Sequence, residues 1–210
     1  MPSVDLLLAF AVATIAFAVY PGPALLYTAA QTLARGRKGG FLAALGIHCG
    51  CYAHVIAATL GLSAVFRHVP ALYVALKLCG AAYLVWMGIA MIRGQAKASE
   101  AAPANRWKSP KRAFVQSMLV EILNPKAAIF FVAFLPQFVD PSASFPVWVQ
   151  FLILGVIVNC AFSTADIVTV LLASRIVARL RRASAAQRLM RVLGGSLIAG
   201  LGLRLALDRS

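Results

Sequence analysis

Long apolar runs alternate along this chain with short polar connections that are rich in arginine and lysine. Several of the runs exceed the roughly 18 apolar residues that mark a membrane-spanning helix. The pattern predicts an all-α integral membrane protein with six transmembrane helices. Their expected bounds are 5–34, 40–65, 70–93, 112–138, 146–174 and 189–207.

Two of these runs are interrupted near their middle by residues that disrupt helices. The first contains Pro21, Gly22 and Pro23, and the fourth contains Asn124 followed by Pro125. Proline costs about 3 kcal/mol inside a helix, but it is favoured at the first helical position after a glycine or asparagine cap. We therefore expect a helix to end and a new one to begin at each break. The alternative is a pair of kinks whose carbonyls bond to neighbours or water.

The two halves of the chain carry similar features in the same order. Residues 77–82 parallel residues 191–196, and Pro23 in the first run answers Pro125 in the fourth. With three helices in each half, the second copy enters the membrane from the opposite side. In many secondary transporters such inverted-topology repeats place the substrate site at their interrupted helices. The expected units are a first repeat at 1–93, a cytoplasmic linker at 94–111 and a second repeat at 112–210.

Composition and charge support the membrane assignment. The chain is 61% hydrophobic and only 12% charged, whereas soluble domains are about 25% charged. Of the 20 lysines and arginines, 15 fall in the first, third and fifth connections and 3 in the other connections or near the end. This asymmetry predicts that those three connections are cytoplasmic and that both termini lie on the outer side of the membrane. Basic residues in such clusters do not indicate nucleic-acid binding.

The two breaks together predict an anion site. The N-terminus of a helix offers free amides and about half a positive charge. Lys126, at the second position of its restart, adds a full charge, so a carboxylate would suit the pair. The predicted substrate-binding residues are Pro21, Gly22, Pro23, Ala24, Asn124, Pro125, Lys126 and Ala127.

Three further titratable residues fall inside the apolar runs, where such groups default to functional hypotheses. Asp166 would pair with a substrate ammonium or carry a coupling proton, or else pair with Lys126. Glu121, one turn before the second break, would act as a gate or face the inner vestibule. His54 is a candidate proton relay.

The stretch HCGCYAH at 48–54 raises an alternative function, the export of a soft metal ion. On a helix, His48, Cys51 and His54 fall within about a 120° arc, close enough to converge on such an ion. The competing interpretation is a packing face of small residues, because Gly46 and Gly50 form a GxxxG pair. We expect no resident metal.

A membrane enzyme or redox relay is the other alternative. It would need cysteine pairs with access to water, but Cys49 and Cys51, two apart on a helix, face different directions. The sequence therefore favours a protein that is not an enzyme and carries no cofactor.

The motifs YPGPALLYTAAQTLARGRKGG at 20–40 and ILNPKAAIFFVAFLPQFV at 122–139 resemble the lysine-exporter (LysE/RhtB) family of bacterial amino-acid efflux proteins. The resemblance covers nearly the whole chain. It implies a six-helix inner-membrane carrier that exports amino acids such as homoserine, threonine, lysine or leucine, driven by proton entry. In the same way it implies that the PGP and NPK residues take part in transport.

One departure from the family pattern bears on the substrate. Some members carry an acidic residue just after the GxxxG glycine, where this chain has Cys51. Without that carboxylate, a neutral amino acid is favoured over a cationic one. The expected partners are the amino acid, the proton and membrane lipid. A homodimer could pack through the small residues of the sixth run.

Overall fold

The computed structural model describes residues 4–64 and 110–182, together with scattered helical positions between 75 and 93 and between 188 and 207. All regular structure in these described segments is helical. The long segments contain α1 Val4–Val19, α2 Pro23–Ile56, α3 Pro110–Ile122, α4 Pro125–Phe134 and α5 Val147–Arg182. A π-helical turn, Ala57–Leu62, extends α2, and a 3₁₀ turn, Leu135–Phe138, extends α4.

Two of the described helices are long and apolar enough to cross a membrane, the run Pro23–Leu62 and Val147–Ala173. A third span results if α3 and the run Pro125–Phe138, bent by 46°, are one broken helix. The apolar helix Leu6–Val19 is shorter. Large apolar side chains are exposed on the outer faces of these helices, which is the surface that lipid would cover.

The run Pro23–Ile56 is not one straight helix, because it reverses direction at Gly36. Gly36 has φ 72° and ψ −175°, a conformation that glycine adopts without the cost of a Cβ atom. A Cβ built on Gly40 would lie 3.0 Å from the Cβ of Thr32, whereas eight residues of straight helix span about 12 Å. The predicted connection between the first two runs is therefore present, but it is one residue long rather than a loop.

Helix α5 continues beyond its predicted end. The sequence placed the end of the fifth run at residue 174, with the arginines that follow in a loop. The backbone is helical to Arg182, since the segment after 174 contains no proline or glycine and consists largely of good helix formers. The arginines of this segment are thus carried on a helix.

An aromatic core joins α1 to α4. The ring of Phe17 lies 4.0 Å from that of Phe130, and the ring of Phe10 lies 5.7 Å from that of Phe134. Moving back along α1 therefore corresponds to moving forward along α4, and the two helices are antiparallel. The end of α1 consequently meets the beginning of α4.

The second segment of α2 packs closely on α3. A Cβ on Gly46 would lie 2.6 Å from Phe114 O, and one on Gly50 would lie 3.0 Å from the Cβ of Glu121. Only glycine permits so close an approach of two helices. The GxxxG pair therefore forms a helix-packing face, which was the competing interpretation of the stretch at 48–54.

The first segment of α2 and helix α5 run in the same direction. Thr28 lies beside Asp166, and the position of Gly40, which adjoins Thr32, lies beside Val170. These segments belong to the first and fifth predicted runs, which run in the same direction in the predicted topology. The observed orientation is therefore consistent with that topology.

Several predictions concern parts of the chain outside the described residues. They include most of the third and sixth runs, nearly all of the linker, and both Lys77 and Arg191, which begin the paired repeat motifs. The six-helix count, the inverted repeat, the division into units and the homodimer therefore stay predictions.

Candidate functional site

The two breaks meet at a cavity of about 30 Å³ between α1, α2, α3, α4 and α5. Seven predicted site residues line it: Gly22, Ala24, Glu121, Asn124, Lys126, Ala127 and Asp166. The lining also includes Phe17, Ala18, Leu25, Ile47 and Phe162. Pro21, Pro23, Pro125 and His54 are not part of the lining. The prolines nevertheless shape the restarts.

The first break restarts at the predicted position. Gly22 is extended, with φ −126° and ψ −179°, and Pro23 begins α2. Leu26 N donates to Gly22 O at 3.0 Å. The amides of Ala24 and Leu25 precede the first intrahelical hydrogen bond, so the helix provides no acceptor for them. Both residues line the cavity.

The second break also restarts where predicted, and its cap is more elaborate. Asn124 Oδ1 accepts a hydrogen bond from Lys126 N at 3.1 Å, and Asn124 Nδ2 donates to Glu121 Oε2 at 2.8 Å. Pro125 occupies the first helical position. The amide of Ala127 has no acceptor within its helix, and Ala127 lines the cavity.

The Lys126 ammonium reaches across the cavity to the end of α1. Its Nζ donates to Phe17 O at 2.9 Å and to Tyr20 O at 2.7 Å, and it lies 4.3 Å from the centre of the Phe17 ring. The carbonyls at the C-terminus of a helix carry partial negative charge, so the ammonium satisfies and stabilises them. An ammonium has three donors. The predicted positive charge is therefore at the site, but two of its three donors bond to carbonyls at the end of α1.

Gly22 provides the space through which the Lys126 side chain passes. A Cβ at Gly22 would lie 2.6 Å from Lys126 Cδ and 3.2 Å from Lys126 Nζ. The backbone of Gly22 is one that any residue adopts. Glycine is therefore required here by the close approach of the lysine and not by its backbone angles.

Two buried carboxyl groups face the same cavity. Glu121 is held by Asn124 Nδ2, and both Glu121 and Asp166 are almost fully buried. The Thr28 hydroxyl interacts with the Asp166 carboxyl. Among the described residues, however, neither Thr28 Oγ1 nor Asp166 Oδ1 has a hydrogen bond of ordinary geometry. Asp166 thus lines the cavity, and its buried Oδ1 is not fully satisfied by its described neighbours.

His54 supports the second break from behind. Its Nε2 lies 2.8 Å from Glu121 O, and because a carbonyl only accepts, this nitrogen must carry the proton. The ring also packs against Phe131, with centroids 5.8 Å apart. His54 therefore binds one of the carbonyls that the end of α3 leaves without an intrahelical donor.

The residues of the metal alternative are not brought together. His48 Nδ1 lies 2.5 Å from Ser163 Oγ on α5, whereas His54 faces α3. Cys51 is buried between them in the aromatic core. Within the described part of the chain, no group of three histidine, cysteine or acidic residues is placed to hold a metal ion.

Sequence reasoning missed Thr28 and Phe162, which contact or line the site. A signal existed for Thr28, because it follows the first break by five residues, on the face of α2 that also carries Ala24. Phe162 lies four residues before Asp166 and therefore on the same face of α5. No pattern in one sequence identifies which faces of separate helices meet.

Comparison with known proteins places the chain among membrane proteins of similar length. An uncharacterised membrane protein of Pseudomonas aeruginosa is 32% identical over 190 residues, which cover 89% of this chain and 88% of that protein. The threonine efflux protein of Salmonella typhi is 30% identical over 196 residues, which cover 90% and 91%. The homoserine/homoserine lactone efflux protein of Salmonella typhimurium is 32% identical over 136 residues, 65% of each chain. No solved structure matches significantly.

A family model also matches nearly the whole chain. The model of the LysE type translocator matches residues 15–209, which include both breaks and every residue of the cavity. This match confirms the resemblance carried by the PGP and NPK motifs. The chain is a multi-pass membrane protein and belongs to the LysE type translocator family.

Proposed function

We propose that this protein is a secondary transporter that exports small, neutral amino acids from the cytoplasm across the bacterial inner membrane, with both termini outside. The names of similar proteins, which specify threonine, homoserine or leucine efflux, support this class of substrate. A neutral substrate is favoured because Cys51, where some relatives carry a carboxylate, is buried and uncharged at this position.

The substrate carboxylate would bind where the two restarts face each other. Ala24, Leu25 and Ala127, whose amides have no acceptor within their helices, line this part of the cavity, and each restart brings the positive end of a helix dipole to it. The Lys126 ammonium adds a full positive charge and a third hydrogen-bond donor. The convergence of both restarts and Lys126 on one cavity is the observation that carries the proposal.

The substrate ammonium or a coupling proton would bind at Asp166. The cavity holds two carboxyl groups and one ammonium, and an unpaired ionised carboxylate is costly to bury. A proton or an ammonium at Asp166 would remove that cost, so the two would compete for one site. Such competition is a physical basis for exchanging a proton for an amino acid, with Glu121 and His54 next to the route.

The cavity is too small in this conformation to hold the proposed substrate. A buried water needs about 10–15 Å³ of such space, so about 30 Å³ holds two or three waters and not an amino acid. Substrate binding therefore requires the helices around the cavity to separate. Alternating access in secondary transporters commonly involves such a movement of one helical bundle against another.

The test is efflux of labelled threonine from loaded cells that express the protein. We expect Lys126→Ala to abolish export without changing the amount of protein in the membrane. Lys111→Ala is the matched control, because Lys111 is exposed on the first turn of α3. Export by Lys126→Ala at the wild-type rate would overturn the site, and no export of threonine, homoserine or leucine by the wild type would overturn the function.

Proton coupling needs a separate measurement in proteoliposomes. A pH gradient, acidic on the outer side, should drive threonine out against its own gradient in the wild type. We expect Asp166→Asn to lose this response and to exchange labelled for unlabelled threonine more slowly than the wild type, because Asp166 would bind both the proton and the ammonium. A wild type that ignores the pH gradient would contradict proton antiport and leave amino-acid export standing.

A further inference from the structure

The segment of α2 that follows the first break carries a buried polar face. Tyr27, Thr28 and Gln31 are each 0% exposed. Tyr27 Oη, Thr28 Oγ1 and Gln31 Nε2 have no hydrogen-bond partner of ordinary geometry in the described part of the chain. Native proteins contain few such groups, and each one calls for a physical explanation, since an unpaired polar group costs free energy to bury.

These residues form one stripe along the helix. Positions 24, 28, 31 and 35 are separated by three or four residues and therefore share a face, with position 27 beside it. The stripe begins at Ala24, which lines the cavity. At its other end, Arg35 Nε donates to Gln31 Oε1 at 3.0 Å. The stripe thus connects the cavity with the basic turn at 35–38.

The described residues that cover the stripe leave three of its polar atoms without hydrogen bonds of ordinary geometry. Tyr27 packs against Ala43 and Ile47 of the second α2 segment, and Thr28 faces Asp166 of α5 without a full hydrogen bond. Apolar and small neighbours leave the polar atoms unsatisfied in this conformation. The same atoms would bond to water if the neighbouring helices moved apart.

We propose that Tyr27, Thr28 and Gln31 line the cytoplasmic entrance to the substrate cavity, which is closed in this structure and filled with water in the conformation that accepts an amino acid. The inference rests on the proposed export function and adds the route of access. In the open conformation the hydroxyl and amide groups hydrogen-bond to water and to the polar ends of the passing amino acid. Leaving these groups unpaired in the closed conformation costs free energy, and this cost keeps the two conformations close in stability.

The test measures access of water directly and needs no transport. Gln31→Cys and Thr28→Cys are treated with a membrane-impermeant methanethiosulfonate reagent in inside-out and right-side-out vesicles, and the labelled peptide is identified by mass spectrometry. Ala29→Cys is the matched control, because Ala29 is buried on the same segment but points away from the stripe. The unsubstituted chain controls for its own four cysteines.

We expect labelling of Gln31→Cys in inside-out vesicles, severalfold above Ala29→Cys, and little labelling in right-side-out vesicles. Thr28→Cys should give the same pattern, which covers the case that one variant does not fold. Absence of labelling at both positions, or equal labelling of Ala29→Cys, would overturn the proposal. If labelling occurs but the wild type exports no amino acid, the access route stands and the proposed substrate fails.

An apolar replacement provides a second readout. Gln31→Met keeps the length of the side chain and removes both the unpaired amide nitrogen and the oxygen that accepts from Arg35. We expect threonine export to fall severalfold, because the entrance no longer binds water, and the melting temperature in detergent to change little, because removal of the unpaired amide offsets the lost hydrogen bond. Wild-type export by Gln31→Met would contradict the proposal, as would a loss of export accompanied by a large fall in melting temperature, which indicates a purely structural role.

Discussion

The two helix breaks lie on opposite sides of one cavity, and they are stabilised by different means. At the first, the end of α1 depends on the Lys126 ammonium, which comes from the other half of the chain. At the second, the end of α3 is bound by a buried histidine and by the backbone amide of Asn124 at 2.9 Å. The second break is therefore built from short, fixed groups, and the first from one long side chain.

This difference suggests which break responds to substrate. If a substrate carboxylate binds the third donor of Lys126, as proposed, it attracts the ammonium more strongly than Phe17 O and Tyr20 O do, because hydrogen bonds between charged groups are stronger than those to neutral carbonyls. The bonds that hold the end of α1 would then weaken, and this end could move. No comparable competition arises at the second break, where His54 and Asn124 both bond to Glu121.

His54→Ala should have the largest effect on stability, because it removes a buried contact of the second break. The change removes a buried ring and leaves Glu121 O without its side-chain donor, at a cost of about 2–4 kcal/mol. His48→Ala is the control, since His48 is only half-buried and its ring bonds to Ser163 of α5 and not to a carbonyl of either break. The measurement is unfolding in detergent. Equal losses for the two variants would contradict the special role of His54.

Asn124→Ala should have an effect about as large, since it removes two interactions of the same break. Loss of a cap costs about 1 kcal/mol, and loss of a hydrogen bond to a carboxylate costs about 1.5–3 kcal/mol. Asn124→Ser restores only the cap and should recover about 1 kcal/mol of unfolding free energy. If serine recovers nothing, the cap contributes little and the bond to Glu121 carries the effect.

Gly22→Ala tests the movable break, and we expect it to change export more than stability. The added methyl overlaps Lys126 Cδ, so the lysine must shift, at a cost of about 1 kcal/mol. Export should fall severalfold in the labelled-threonine assay. In a Lys126→Ala background the same change should have no further effect on protein stability, because the two residues act through one contact. Additive losses of stability would refute this coupling.

Ser142→Ala should have the smallest effect, because it lies in the loop between α4 and α5 and away from both breaks. Hydrogen bonds from the Ser142 hydroxyl and amide hold the pKa of Asp140 below its ordinary value of 3.8. A lowered pKa stabilises the folded protein above that value, and the contribution is lost as the pH falls below it. A slightly lower melting temperature for the variant near neutral pH, vanishing in acid, is the expected result. A difference that persists in acid would contradict it.

The local structure of the breaks could be predicted because its causes are local. Pro23 and Pro125 cannot continue a helix, and Gly22 and Asn124 act on the backbone within two or three residues. The same locality explains the GxxxG packing face. It did not extend to the reversal at Gly36, because a positive φ is one of several conformations that glycine permits, nor to the end of α5, where arginine suits both a helix and a loop.

The partners of the polar residues could not be predicted. Lys126 was expected to add charge to its own helix terminus, and His54 to relay protons; both roles stay predictions. What the sequence did not indicate is that each bonds to backbone carbonyls more than 60 residues away in the chain, Lys126 to Phe17 and Tyr20 and His54 to Glu121. Such pairings depend on the rotation and depth of separate helices, which periodicity alone does not specify.

The amino-acid sequence by itself determined that the chain is a membrane protein, where its helices break, and which family its motifs resemble. These properties follow from hydrophobic length, from proline and glycine, and from residue identity at adjacent positions. Tertiary structure decided that both breaks share one cavity and that the lysine of one break holds the other. It also decided that, within the described part of the chain, Tyr27 Oη, Thr28 Oγ1 and Gln31 Nε2 are buried without a hydrogen bond of ordinary geometry. Contacts between distant segments decide these features, because the free energy of a polar group in a membrane depends on what surrounds it.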